Sequence, residues 1–170
     1  MSNGLARLNA MNAREARAAF MKACGSRAWA ESMTSRRPFT DSASLLAAAD
    51  AVADALSRDD WLEAFSHHPR IGETNLTQPK FAPTSDMSRR EQSGMARASD
   101  ETRAAFAEGN RAYQTRFGHV FLICATGKSG DEMLAQLRVR LANDAATELR
   151  NAAAEQRKIT RLRLERMLSE

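Results

Sequence analysis

Apolar positions recur at helical spacing along most of the chain and are broken at short intervals, which predicts an all-α protein. In "NAREARAAFMKACG" the residues Ala16, Phe20 and Ala23 share one face. Asn12 and Glu15 stand before it at capping-box spacing, and Gly25 is suited to close it. "SRAWAESM" is a short helix carrying Trp29, interrupted at "RRPF" because Pro38 disfavours helix in the residue before it. "DSASLLAAADAVADALS" is rich in the best helix formers, with Asp41 or Ser42 as its cap. "SRDDWLEAFS", capped near Ser57 or Asp59, turns Trp61, Leu62 and Phe65 inward. It must stop at or before His68, because Pro69 follows.

Residues 69–84 break the pattern, with Pro69, Gly72, Pro79 and Pro83 and no periodicity. Compact domains seldom keep a loop of about 15 residues unless it is a lid or a binding loop. Helix resumes at "SRREQSGMA", with Ser88 and Glu91 again at capping-box spacing. The next helix, "SDETRAAFAEGNRAYQTRFG", lines up Phe106, Asn110, Tyr113 and Phe117. "HVFLICATG" alone has strand-like composition; with no partner in the sequence it reads as a buried extended connector or a helix start. "SGDEMLAQLRVRLAN" repeats the capping pair at Ser129 and Glu132 and sends Met133, Leu134, Leu137 and Leu141 inward. A long last helix, "DAATELRNAAAEQRKITRLRLERMLSE", is capped by Asn143 or Asp144. The expectation is an all-α single domain of about eight helices over residues 1–170, without internal repeats.

Composition adds limits to this picture. A chain of 170 residues suits one domain, and 43% hydrophobic with 27% charged residues is globular rather than disordered. No apolar run approaches the ~20 residues that cross a bilayer. "MSNGLARLNA" lacks the apolar core of a signal peptide, and "LSE" is no peroxisomal address, so a cytoplasmic location is expected. Cys24 and Cys124 lie far apart without metal-ligand spacing and are expected to be buried thiols. A net charge of +4 and a pI near 9.6 raise the question of nucleic acid. Residues 150–170 carry Arg150, Arg157, Lys158, Arg161, Arg163 and Arg166, but interleave them with Glu155, Glu165 and Glu170 and contain no aromatic residue. Mixed signs at helical spacing mean a solvated face. A non-enzymatic, basic helical module for nucleic acid stands as the second reading.

Several stretches invite chemistry. "TGKS" at 126–129 suggests a phosphate loop, but the motif's first glycine would fall on Leu122, and Ser129 is accounted for as a cap. His67 and His68 could open a metal site with His119, yet adjacent residues point different ways, and no metal is expected. His68 closes a helix before a rigid proline and a long loop, a good place for a proton-transfer group that titrates near neutrality. Glu91 is either a capping partner or a carboxylate that orients an imidazole; spacing does not separate the two. Arg163 is either a solvated helix residue or an anion clamp.

Taken together, the blocks "RPF" at 37–39, "DWLEAFSHHPRIGE" at 60–73, "EQSGM" at 91–95, "N-x-x-Y-x-x-R-F-G" at 110–118, "FLICATGKS" at 121–129 and "RLANDAATELRNAAAEQRKITRLRL" at 140–164 resemble one family in order and content. The chain is similar, from about residue 8 to residue 168, to the 2-oxo-4-hydroxy-4-carboxy-5-ureidoimidazoline (OHCU) decarboxylases of urate breakdown. The histidine–proline and "EQ" blocks are specific in combination. The resemblance implies an all-helical fold, no cofactor, no metal, no nucleic-acid or membrane partner, and a homodimer. It implies that His68, directly before Pro69, is the catalytic histidine and that Glu91 is its paired carboxylate. Gln92 is implied as a ligand to the substrate's amide groups, and Arg163, in the pattern "K-I-x-x-x-R-L", as a substrate-binding cation. Pro69, Phe121, Ile123 and Ala125 are implied to line the pocket. OHCU carries a ring C=N bond next to the carbon bearing its carboxylate and hydroxyl. It can therefore accept the electron pair that departing carbon dioxide leaves, where other decarboxylases recruit a cofactor.

Overall fold

Ten α-helices and one 3₁₀ helix make up the described residues, with no β-strand among them. The structure is a computed structural model and describes residues 3–73 and 78–169. In chain order the helices are α1 (Asn3–Ala10), α2 (Ala13–Ala23), α3 (Arg27–Ser35), α4 (Ser42–Asp54), α5 (Arg58–Ser66), a 3₁₀ turn (Pro79–Thr84), α6 (Ser85–Glu91), α7 (Ser93–Ala96), α8 (Asp100–Phe117), α9 (Gly130–Arg140) and α10 (Ala145–Ser169). The all-α expectation holds. The two extra helices are α1, too short to show a period, and α7, a single turn set off from α6 at Gln92.

Local chemistry explains most helix ends. Asn12, Asp41 and Ser129 each accept a hydrogen bond from the backbone three residues on, and each donates its own N–H to that residue's side chain, the reciprocal bond of a capping box. Ser57 pairs likewise with Asp60, and Asp144 accepts from Thr147. Gly118 closes α8 in the left-handed region at φ 77°. Two expectations fail here. Gly25 is not left-handed, because α2 ends on an extended Cys24 whose N–H bonds Phe20. Ser88 caps nothing: the 3₁₀ turn runs straight into α6, so Ser88 and Glu91 both sit inside that helix, buried. The 69–84 stretch is accordingly shorter as a loop than the sequence implies, since Pro79 occupies the first position of the 3₁₀ turn, where a missing N–H costs nothing. Residues 74–77 of that loop lie outside the described residues.

The chain divides into two compact units. The first comprises Met1–Ala64 and Gln156–Glu170. Its core is built on Phe20, whose ring meets Trp29 edge-on at 5.8 Å and Phe39 at 6.4 Å. Gly4 is required where α1 meets the end of α10, because a Cβ there would fall 2.6 Å from the carbonyl oxygen of Leu168. The last carbonyls of α2 are taken by α10: Thr160 Oγ1 donates to Ala23 and Arg163 Nη1 to Lys22. These bonds do the work that a left-handed glycine would otherwise do. Burial pushes the Cys24 thiol up to about 11, as suits an inert structural cysteine.

The second unit is Phe65–Glu155. Ile71, Met95, Phe106, Tyr113, Phe121, Ile123, Met133 and Leu137 form its apolar centre between α8, α9 and the segment 121–125. That segment is an extended connector, buried throughout, and not the helix start that its composition also allowed. Beside it lies a buried polar knot. Arg140 donates through Nε to Glu148 at 3.0 Å and through Nη1 to the carbonyl of Leu122 at 2.6 Å. Tyr113 donates its hydroxyl to the same carboxylate, and Asn143 and Asn151 complete it. Burial alone would raise the Glu148 carboxyl, but hydrogen bonds from Arg140, Tyr113, Asn143 and Asn151 outweigh it and hold the group below the usual carboxylate range.

Candidate active site

His68 follows the last turn of α5, where its N–H donates to the carbonyl of Phe65 at 3.1 Å. It is 8% exposed, and the Pro69 after it is buried as well. The chain then turns sharply. Glu73 N–H donates to Arg70 C=O at 3.0 Å, and Gly72 adopts φ 83°, a value that favours glycine at the third position of a type II turn. Glu91 is the last residue of α6 and is 8% exposed, an unusual depth for a carboxylate. Gln92, half-buried, reaches from the α6–α7 junction to accept the N–H of Gly72 at 3.2 Å. The histidine–proline turn and the Glu-Gln helix end, 20 residues apart in sequence, are therefore joined directly.

Two side chains grip one edge of the segment 121–125. Arg140 takes the carbonyl of Leu122, and Glu155 Oε2 accepts the N–H of Cys124 at 2.7 Å. In an extended chain successive backbone groups point to opposite edges. The backbone groups of Phe121, Ile123 and Ala125 thus lie on the edge away from Arg140 and Glu155, where Ala125 C=O accepts from Lys128 N–H. Their side chains serve a different end. Phe121 packs edge-on against Phe106 at 6.0 Å and Tyr113 at 5.2 Å, and Ile123 and Ala125 join the same centre. The Glu91 carboxylate lies near enough to raise the Cys124 thiol, although burial and Glu155 raise it more.

Arg163 belongs to the first unit, 4% exposed, with its guanidinium on the carbonyl of Lys22. His119, the third histidine of the metal hypothesis, packs among Phe65, Tyr113 and Phe117 and bonds the carbonyl of Val120 through Nδ1. No group of three potential ligands that could hold a metal ion occurs among the described residues. The basic C-terminal helix is engaged internally: Arg157 pairs with Asp54 at 2.6 Å and with Asp50, and Arg161 with Glu165. No helix among the described residues is long and apolar enough to cross a membrane.

Sequence reasoning missed two residues here. Asn110 was placed on the inner face of α8 without a role; it donates Nδ2 to the carbonyl of Ile71 at 3.0 Å. An amide on an apolar helix face is itself a signal, because buried polar groups are nearly always paired. Glu155 carried no such signal among the mixed charges of the last helix.

The described residues are all-helical, with a buried histidine before proline and a buried carboxylate at the end of α6, and the chain matches a family of known proteins. The family model described as OHCU decarboxylase matches residues 9–165, and the chain belongs to that family. It is 39% identical over 151 residues to the uric acid degradation bifunctional protein of Arabidopsis thaliana, covering 86% of this chain and 45% of that protein. It is 30% identical over 136 residues to the 2-oxo-4-hydroxy-4-carboxy-5-ureidoimidazoline decarboxylase of Amia calva, covering 80% and 77%. Against the bifunctional proteins of Arabidopsis thaliana and Bacillus subtilis the chain spans less than half the relative's length, 45% and 28%. A crystal structure of OHCU decarboxylase in the presence of (S)-allantoin superposes with TM-score 0.76 at 34% identity, over 89% of this chain and 97% of that one.

Proposed function

We propose that this protein decarboxylates OHCU to (S)-allantoin without a cofactor. The observation that carries the reading is the Gly72–Gln92 hydrogen bond, which sets the His68 turn beside the helix end bearing Glu91. Two buried ionisable groups of complementary type on joined elements are the material of general acid–base catalysis. The names of the relatives and of the matching crystal structure point to the same substrate and product.

In this reading neutral His68, oriented by Glu91, takes the proton of the substrate hydroxyl as the bond to the carboxylate breaks. Carbon dioxide leaves, the electron pair moves into the adjacent C=N bond of the ring, and the nitrogen that receives it takes up a proton from solvent. His68 then returns the hydroxyl proton to one face of the neighbouring ring carbon as the carbonyl forms, which yields the S isomer. The outer backbone edge of Phe121 and Ile123 supplies hydrogen-bonding groups for the polar heterocycle, and Pro69 a rigid wall. Arg163 has the role implied by the family pattern, binding a substrate oxygen. A cytoplasmic location and a homodimeric state belong to the same reading; sedimentation at micromolar concentration tests the latter.

The deciding experiment follows the decay of freshly generated OHCU in single turnover. Wild-type protein should accelerate decay and deliver one enantiomer, and His68→Ala should do neither. Wild-type rate and stereochemistry in that variant would remove His68 from the chemistry.

A further inference from the structure

We propose that Asn110 is a positioning residue for this reaction, acting through the Ile71–Gly72 peptide to set which end of the Gln92 amide meets the substrate. The proposal rests on the decarboxylase reading for its kinetic part only.

Type I and type II turns differ by a flip of the central peptide plane through about 180°. In the turn 70–73 that central peptide is Ile71–Gly72, and both of its polar ends are held. Its carbonyl accepts from Asn110 Nδ2 at 3.0 Å, and its N–H donates to Gln92 Oε1 at 3.2 Å. The two amides are oriented without ambiguity: a carbonyl accepts only, so Asn110 must present nitrogen, and an N–H donates only, so Gln92 must present oxygen. Asn110 is 5% exposed, so a flip that took the carbonyl away would leave a buried amide unpaired. One turn along the same face of α8, Gln114 Oε1 accepts from Arg70 Nε at 2.8 Å and anchors the first corner of the turn.

The consequence falls on Gln92. With its oxygen committed to Gly72, the end left for a ligand is the NH₂ group. Gln92 therefore selects an acceptor, a carbonyl or carboxylate oxygen, and not an amide N–H. Losing Asn110 frees the peptide to flip, withdraws the Gly72 N–H, and lets the Gln92 amide rotate to the wrong end. Gly72→Ala should reach the same state by another route. Among the described residues its Cβ would meet Met95 Cγ alone, at 3.4 Å, an ordinary contact, but the positive φ is strained for alanine and the type II state is disfavoured.

The test combines a kinetic cycle with a substrate-free readout. Asn110→Asp keeps the volume and loses the donor; it and Gln92→Glu should each raise KM roughly tenfold, the scale of one lost hydrogen bond, with kcat changed far less. The double variant should be no worse than Gln92→Glu alone, because both act on one interaction. In the substrate-free protein, amide exchange at Gly72 measured by NMR should quicken in Asn110→Asp and Asn110→Ala. Additive KM effects, or an unchanged Gly72 amide in Asn110→Asp, would overturn the proposal. A wild-type protein that does not decarboxylate OHCU would sink the functional reading, while the Gly72 measurement would still decide the clamp.

Discussion

Two stretches of this chain spell the same local signal and fold differently. At 129–132 Ser and Glu form a reciprocal capping box on the surface at the start of α9: Ser129 N–H donates to Glu132 at 2.8 Å, and Glu132 N–H to Ser129 at 3.1 Å. At 88–91 the same pair lies inside α6, Ser88 at 3% and Glu91 at 8% exposure. A capping box satisfies N–H groups at a free helix start. Where the preceding 3₁₀ turn has already begun the helix, nothing remains to cap, and the glutamate is available to other partners. Burying a carboxylate's charge is costly unless charged or hydrogen-bonding partners offset it. Of the two, Glu91 is the one whose position asks for a functional explanation.

The contrast can be broken most sharply by neutralising each carboxylate in turn. Glu91→Gln should lower kcat by about 10²-fold or more, the usual scale for general acid–base groups, while Glu132→Gln leaves turnover unchanged. Equal turnover in the two variants would erase the distinction.

A buried carboxylate with a purely structural role gives the next comparison. Arg140→Met strips Glu148 of its charged partner, 2.9 Å away, and should destabilise the fold by roughly 3–5 kcal/mol in urea unfolding. Glu91→Gln is expected to cost much less, so its lost activity would appear in fully folded protein.

Ser129→Ala removes a true cap and should cost about 1 kcal/mol. Ser88→Ala, inside a helix, should fall well short of that in the same melt.

The smallest effect is in pH. Hydrogen bonds from Ser129 hold the Glu132 carboxyl below its ordinary 4.5, as those from Thr147 hold Asp144 below 3.8. A folded-state pKa below the unfolded one adds stability that is complete above the ordinary value and is lost as pH falls through the folded value. The urea midpoint should therefore decline below about pH 4.5, and less steeply in Glu132→Gln. Activity should fall at higher pH than stability, as an imidazole ordinarily titrates near 6.5. A flat rate profile from mildly acidic to neutral pH, with chemistry limiting, would argue against neutral His68 as the base.

Much of this was legible before folding because its causes are local. The 3.6-residue period, the caps at Asn12, Asp41 and Ser129 and the stop imposed by Pro69 each depend on neighbours within one turn. The buried extended run 121–125 was legible for the same reason, as its apolar composition leaves it nowhere else to go. The family pattern singled out His68, Glu91, Gln92 and Arg163 as candidates, which spacing alone did not separate from ordinary surface residues.

Contacts across long separations had no such trace. That Asn110 holds Ile71, that Glu155 holds Cys124, and that Thr160 and Arg163 replace a glycine at the end of α2 all depend on pairs 31 to 141 residues apart. A hydrogen bond is specified by the placement of two atoms, and a linear pattern carries only the placement of near neighbours. Sequence alone settled where eight of the helical segments lie and most of the caps that begin them. Tertiary packing decided which polar side chains were spent on structure, and so which were left for chemistry.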